Sequence, residues 1–229
     1  MIYGFHGLIG TPGHYDPLRR ALPDIGLTAP DLDFAGTDFA QITADLRKDL
    51  TARGGADVII GNSIGCVLAL ELGDLARHLV LSAPPFDYSN APLSLRPRAV
   101  EAYIDTLYDP NCDIEDLARH RDAAVQKTRA LLGTRAGLRR IRRLRAISLS
   151  FAAHPGLGRH QDKTTCVIGS ADFTTPPDAF AAFLQSAAPR ARLHIVPDAG
   201  HCLPLEAPQA LSEITSEAIE GFSLTRICV

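Results

Sequence analysis

The stretch Gly61-Asn62-Ser63-Ile64-Gly65 constrains this chain more than any other. An apolar run, Val58-Ile59-Ile60, precedes it, and a second, Cys66-Val67-Leu68-Ala69-Leu70, follows. A strand that turns sharply into a buried helix brings backbones together around the central residue, and glycines on either side avoid a Cβ clash there. Ser63 is then held on a strained turn with its hydroxyl exposed, at a helix start that favours developing negative charge. The five-residue pattern alone also fits a plain glycine-flanked turn, so its meaning depends on the rest of the chain.

The rest alternates. Residues 2–5 read as a strand running into the glycine-bearing turn His6-Gly7-Leu8-Ile9-Gly10. A helix over 15–22 carries Leu18 and Leu22 at helical spacing, and residues 27–31 read as a second strand with its loop. Residues 38–53 form an amphipathic helix with Phe39, Ile42, Leu46 and Leu50 on one face. Asp38 and Gln41 are placed to make a capping box, and Gly54-Gly55 stops the helix. Strands at 57–60 and 78–82 flank the helix after Ser63, which lacks a polar face and is therefore buried. Such alternation with unbroken apolar strands predicts a parallel sheet covered on both faces. Sites in these sheets form at the carboxyl ends of strands, where Leu8 and Ser63 both fall.

Residues 84–155 break the rhythm. Prolines at 84, 85, 92 and 97 open the segment, helical patterns follow at 95–108, 113–131 and 136–151, and no strand is legible. We read it as a helical lid inserted into a core made of residues 1–83 and 156–229. The alternation resumes with a strand at 164–168, a helix at 177–187 and a strand at 192–196. A last helix at 208–221 is striped with Leu211, Ile214, Ala218 and, just beyond it, Phe222.

The chain's 229 residues suit one domain with an inserted subregion. Its net charge of −3 argues against a nucleic-acid partner. Five scattered cysteines argue for a reducing compartment. The N-terminus has no basic leader, and no apolar run approaches the roughly 18 residues of a membrane helix. The expectation is a cytoplasmic protein without membrane, metal or cofactor.

A serine hydroxyl is a poor nucleophile until a base takes its proton, and the base needs a third group to orient it. The loop after the 164–168 strand reads Gly169-Ser170-Ala171-Asp172, and the loop after the 192–196 strand reads Pro197-Asp198-Ala199-Gly200-His201. Both lie on the carboxyl side of the sheet. The candidates in chain order are Ser63, Asp172 and His201, with Asp198 and Asp87 as competing acids. His6 shapes the turn that it opens. His154 is either a pocket residue or a loop histidine.

Four pieces now stand in order on the right elements: His6-Gly7-Leu8, Gly61-Asn62-Ser63-Ile64-Gly65, Gly169-Ser170-Ala171-Asp172 and Gly200-His201. Together they resemble an α/β-hydrolase-fold serine hydrolase of the carboxylesterase or thioesterase kind, over nearly the whole length. The resemblance implies Ser63 as nucleophile, His201 as general base and then acid, and Asp172 as the orienting carboxylate. It implies the backbone N–H groups of Leu8 and Ile64 as oxyanion donors. Family members usually carry two further strands before the His-Gly turn, so the sheet here is expected to be shortened to about six strands, all parallel. Its edge near residues 27–31 should be exposed.

The reaction so implied is hydrolysis of an ester or thioester of a small-to-medium acyl group through an acyl-serine intermediate. Two alternatives stay open. One is triad-dependent elimination or carbon–carbon cleavage, as in the pyruvate-eliminating synthase of menaquinone biosynthesis. The other is a non-catalytic hydrolase-fold receptor. The lid adds a second feature: 20 of the 23 basic residues are arginine, and seven arginines fall between 129 and 145. Leu138, Ile141 and Leu144 recur every three residues, so Arg139, Arg140, Arg142 and Arg143 occupy the other faces of a helix. They form either a solvated face or a landing site for coenzyme A or an acyl carrier protein.

Overall fold

The computed structural model describes residues 1–86, 100–105, 107, 117–172 and 174–225. Asp87 and residues 95–99, 106, 108 and 113–116 of the expected helices lie outside the described residues. The chain runs β1 (Ile2–Phe5), α1 (Asp16–Ala21), β2 (Leu27–Thr28), α2 (Phe39–Ala52), β3 (Ala56–Asn62), α3 (Gly65–Glu71) and β4 (Ala76–Ser82). It continues through α4 (Val100–Asp105), α5 (Leu117–Leu132), α6 (Arg135–Leu149) and α7 (Pro155–Arg159). It closes with β5 (Thr164–Gly169), α8 (Pro177–Ala187), β6 (Arg192–Val196), α9 (Leu203–Glu206) and α10 (Pro208–Thr225).

Among the described residues the strands form one six-stranded sheet in the order β2-β1-β3-β4-β5-β6, parallel throughout. Side chains alternate between its faces. Tyr3, Phe5, Ile59, Leu79, Leu81, Cys166 and Ile168 join one core with α2, α3 and α8. Ile2, Val58, Ile60, Val80 and Val167 join the other with Leu18 and Leu22 and with Leu211, Ile214 and Ala218 of α10. Burial on both sides is why these strands read as unbroken apolar runs. The chain goes outward from β1 to β2 and then returns to the other side of β1 as β3. That reversal opens a crevice between the carboxyl ends of β1 and β3, and the turn after β1 and the elbow after β3 both lie there.

Local chemistry sets the boundaries. β2 is only two residues long, because Pro30 follows and has no N–H for a ladder. Gly54 and Gly55 end α2 at φ +78° and +91°, with the Gly55 N–H donating to Leu50 O. The capping box expected at Asp38 and Gln41 is not made. The Asp38 side chain makes no cap bond, and Gln41 donates instead to Asp45 Oδ1 at 2.9 Å. Arg140 and Arg143 of α6 both approach the Asp38 carboxylate.

The helical segment between β4 and β5 packs on the carboxyl edge of the sheet. Ala124, Val125, Leu131, Leu132 and Ile141 share a cluster with Ile9, Ala35, Cys202 and Leu205. A Cβ on Gly137 would lie 1.9 Å from Leu131 O, so only glycine lets α5 and α6 approach this closely. Polar ties also fasten the segment to the core, among them Lys127 Nζ donating to Gly10 O at 3.2 Å and Arg140 Nε to Phe34 O at 2.7 Å. No helix among the described residues is long and apolar enough to cross a membrane.

Candidate active site

Ser63 has φ +55°, in the left-handed region that non-glycine residues avoid. The strain costs about 1–2 kcal/mol. It is held by the Ser63 N–H donating to Ser82 O at 3.0 Å and by the Cys66 N–H donating to Ser63 O at 2.8 Å. A Cβ at 61 would sit 2.4 Å from Gly65 O, and one at 65 would sit 2.1 Å from Phe5 O. The elbow therefore lies directly against the end of β1. Ser63 is partly open, while Asn62, Ile64 and Gly65 around it are buried.

The turn after β1 closes over this point. A Cβ on Gly7 would lie 3.3 Å from Ser63 Cβ. His6 is buried beneath the turn, where its Nδ1–H donates to Gly7 O at 2.8 Å and its Nε2 accepts from the Leu32 N–H at 3.1 Å. Burial lowers its pKa to about 4, which keeps the ring neutral and able to fill both roles. The N–H groups of Leu8 and Ile64 have no acceptor among the described residues, the condition required of donors awaiting an oxyanion.

The acid and base come from the last two strands. His201 Nδ1 lies 2.9 Å from Asp172 Oδ2, and both side chains are buried. Their loops are interwoven. The Ala171 N–H donates to Ala199 O, the Asp198 N–H donates to Ser170 Oγ, and a Cβ on Gly169 would lie 2.0 Å from Ala199 O. The competing Asp198 is exposed and occupies a turn at φ +55°. Asn62 ties the base loop to the elbow, donating from Nδ2 to His201 O at 3.1 Å. Among the described residues no hydrogen bond joins Ser63 Oγ to His201 Nε2; such contacts commonly tighten only when substrate binds.

Burial opposes both charges of the pair, and the pair overcomes it. Asp172 is pushed up by burial, but the His201 charge and the hydrogen bonds from His201 and Thr174 bring it below the usual carboxylate value. His201 is pushed down by burial, but Asp172 and Glu206 bring it above the usual imidazole value. A base works only when neutral, so activity should rise with pH through a midpoint above about 6.5.

Glu206 was not singled out by its sequence position. Its carboxylate accepts the Gly200 N–H at 2.6 Å and the Cys202 N–H at 3.0 Å, bracketing His201. Glu206→Gln removes that negative charge and is expected to move the acid limb of the kcat/KM–pH profile to lower pH. An unmoved limb would show that Glu206 does not act electrostatically on His201.

The remaining sequence candidates are placed as follows. His154 sits at the far end of α3, about 10 Å along the helix from the elbow. There its Nε2–H donates to Glu71 Oε1 at 3.1 Å, and its Nδ1 accepts the Gly156 N–H, capping α7. Arg140 donates to Phe34 O and Arg143 approaches Asp38, and Arg139, Arg142 and Arg143 are all exposed. Among the described residues no group of three or more His, Cys, Asp or Glu is arranged to hold a metal ion.

A parallel sheet with an elbow serine and a buried acid–base pair at its carboxyl edge defines a class, and the comparisons agree with it. The chain belongs to the alpha/beta hydrolase family, whose sequence model matches residues 4–214. No curated protein matches it in sequence. Solved structures share the fold at low identity. A putative lipase from Acinetobacter baumannii has a TM-score of 0.73 at 17% identity, covering 98% of this chain and 84% of that one. A meta-cleavage product hydrolase from Pseudomonas fluorescens has a TM-score of 0.70 at 17% identity, covering 96% and 90%. A thermophilic esterase from Thermogutta terrifontis has a TM-score of 0.64 at 20% identity, covering 96% and 89%.

Proposed function

We propose that this protein is a serine hydrolase of esters or thioesters of small-to-medium acyl groups. One observation carries the reading: the 2.9 Å Asp172–His201 pair is pinned by Asn62 to the strained turn that presents Ser63. Ser63 Oγ attacks the acyl carbon and His201 Nε2 takes its proton. The N–H groups of Leu8 and Ile64 hold the oxyanion, and the imidazolium protonates the departing alcohol or thiol. Water, deprotonated by the same nitrogen, then clears the acyl-Ser63. Short-chain p-nitrophenyl esters and acyl thioesters test this, with a fluorophosphonate probe and peptide mapping to find the labelled residue. Turnover with the label on Ser63 is expected. Labelling without any ester turnover would favour elimination instead, and ligand binding with neither would favour a receptor.

The arginines bear on the leaving group. Arg135, Arg139 and Arg142 lie three and four residues apart on the exposed stripe of α6, and none is paired with an acid among the described residues. Like charges at this spacing destabilise a helix by about 0.2–0.5 kcal/mol per pair, and Arg135 also opposes the helix dipole in the first turn. A repulsion with no offset among the described residues is consistent with an external anion. We assign the stripe to the phosphates of coenzyme A or the acidic surface of an acyl carrier protein. Arg139→Glu with Arg142→Glu should cut kcat/KM for acyl-coenzyme A or acyl-carrier substrates by about tenfold at low salt. It should leave p-nitrophenyl ester turnover unchanged, and the difference should shrink as salt rises. Equal loss on both substrates would remove the assignment.

A further inference from the structure

Thr174 is fully buried and touches both ionisable members of the site. Its hydroxyl oxygen lies 2.9 Å from Asp172 Oδ1 and 2.7 Å from His201 Nδ1. The other carboxylate oxygen, Oδ2, lies 2.9 Å from that same nitrogen. Three polar groups therefore meet pairwise, and counting protons decides how they bond. An ionised carboxylate supplies none, a hydroxyl one, and a neutral imidazole one, on either ring nitrogen. With a bare Nδ1, its lone pair would face the lone pairs of Oδ2, and the single threonine hydrogen would be claimed by both Nδ1 and Oδ1. With a hydrogen on Nδ1, every group is satisfied. Nδ1–H is shared between Oδ2 and Thr174 Oγ1, and the threonine hydrogen goes to Oδ1.

We propose that Thr174 is a positioning residue whose hydroxyl closes a ring of hydrogen bonds with Asp172 and His201, holding the imidazole in the tautomer whose Nε2 is bare. This deepens the hydrolase reading above and rests on it, because a bare Nε2 is what a base facing Ser63 requires. The hydroxyl has little freedom to leave. The Thr174 and Thr175 N–H groups both donate to Asp172 Oδ1, at 2.8 and 3.2 Å, and Thr175 Oγ1 donates to Pro84 O at 2.8 Å. When the ring takes a proton, the threonine oxygen remains as a second acceptor beside the charged Nδ1–H. The desolvated imidazolium so gains a partner that a carboxylate alone does not supply.

Two substitutions separate this role from packing. Thr174→Val keeps the volume and removes the hydroxyl; Thr174→Ser keeps the hydroxyl and removes the methyl. The proposal expects valine to lower kcat about tenfold with KM little changed, the effect of one hydrogen bond to a charged group, and serine to stay near wild type. A packing role predicts the reverse order, and that order would overturn the proposal. The side-chain 15N and 1H resonances of His201 give a readout independent of turnover. In wild type near neutral pH they should show the hydrogen on Nδ1, protected from exchange, and the valine variant should lose that protection. A wild-type ring with its hydrogen on Nε2, or a valine variant with unchanged kcat and protection, would also overturn it. If instead wild type turns over no ester, the hydrolase reading fails while the resonances still report whether the hydroxyl sets the tautomer.

Discussion

Ser63→Ala is expected to reduce kcat for p-nitrophenyl acetate by roughly a hundred-thousandfold to a millionfold. In the proposed mechanism no other group accepts the acyl chain. The buried thiols nearby do not substitute, because burial raises the pKa of both Cys66 and Cys166 far from the thiolate range. The fold should be indifferent. Alanine and serine suffer the same clash at φ +55°, and the Ser63 hydroxyl makes no hydrogen bond among the described residues. A melting temperature close to wild type, together with the lost turnover, separates chemistry from stability. Substantial residual turnover with a blocked burst would place the nucleophile elsewhere.

The second large effect is at the buried acid. Asp172→Asn keeps the side-chain volume and costs about ten-thousandfold in kcat. An asparagine turned to donate its amide to His201 Nδ1 would stabilise the tautomer with the hydrogen on Nε2, which cannot accept the serine proton. Removing the carboxylate also removes the leading influence that holds His201 above its usual value, so the acid limb of the remaining activity should move to lower pH. The ionised Asp172 also contributes to stability. Its folded pKa is lowered, so this contribution is present above the unfolded value of about 3.9 and is lost as pH falls through the folded value. The variant should therefore show a weaker loss of melting temperature with acid than wild type. An Asp172→Asn protein with near-normal kcat would mean that His201 is oriented by another group.

Much of the architecture was legible because it is periodic. The near-continuous burial along β3 and β4, the i, i+4 stripe of α2, and the glycines at 54, 55, 61 and 65 are local features, each readable within a few residues. Shorter elements were less legible. α7 and α9 are too brief for a period to show, and β2 pairs with β1 over only two residues before Pro30. Asp38 was misread for a similar reason. The capping pattern is local, but two arginines more than a hundred residues later lie close to the same carboxylate.

For this chain, sequence alone determined the order of the strands and longer helices, the two-faced core, and the three loops that reach one edge of the sheet. Tertiary structure alone decided which side chains meet there. It placed the Asp172 carboxylate, and not Asp198, on His201, set Thr174 between them, ran Asn62 and Glu206 to the base loop, and tied Arg140 to Phe34 O. The physical reason is range. Backbone conformation and burial pattern answer to neighbours along the chain, whereas a buried polar atom must find a partner wherever folding brings one.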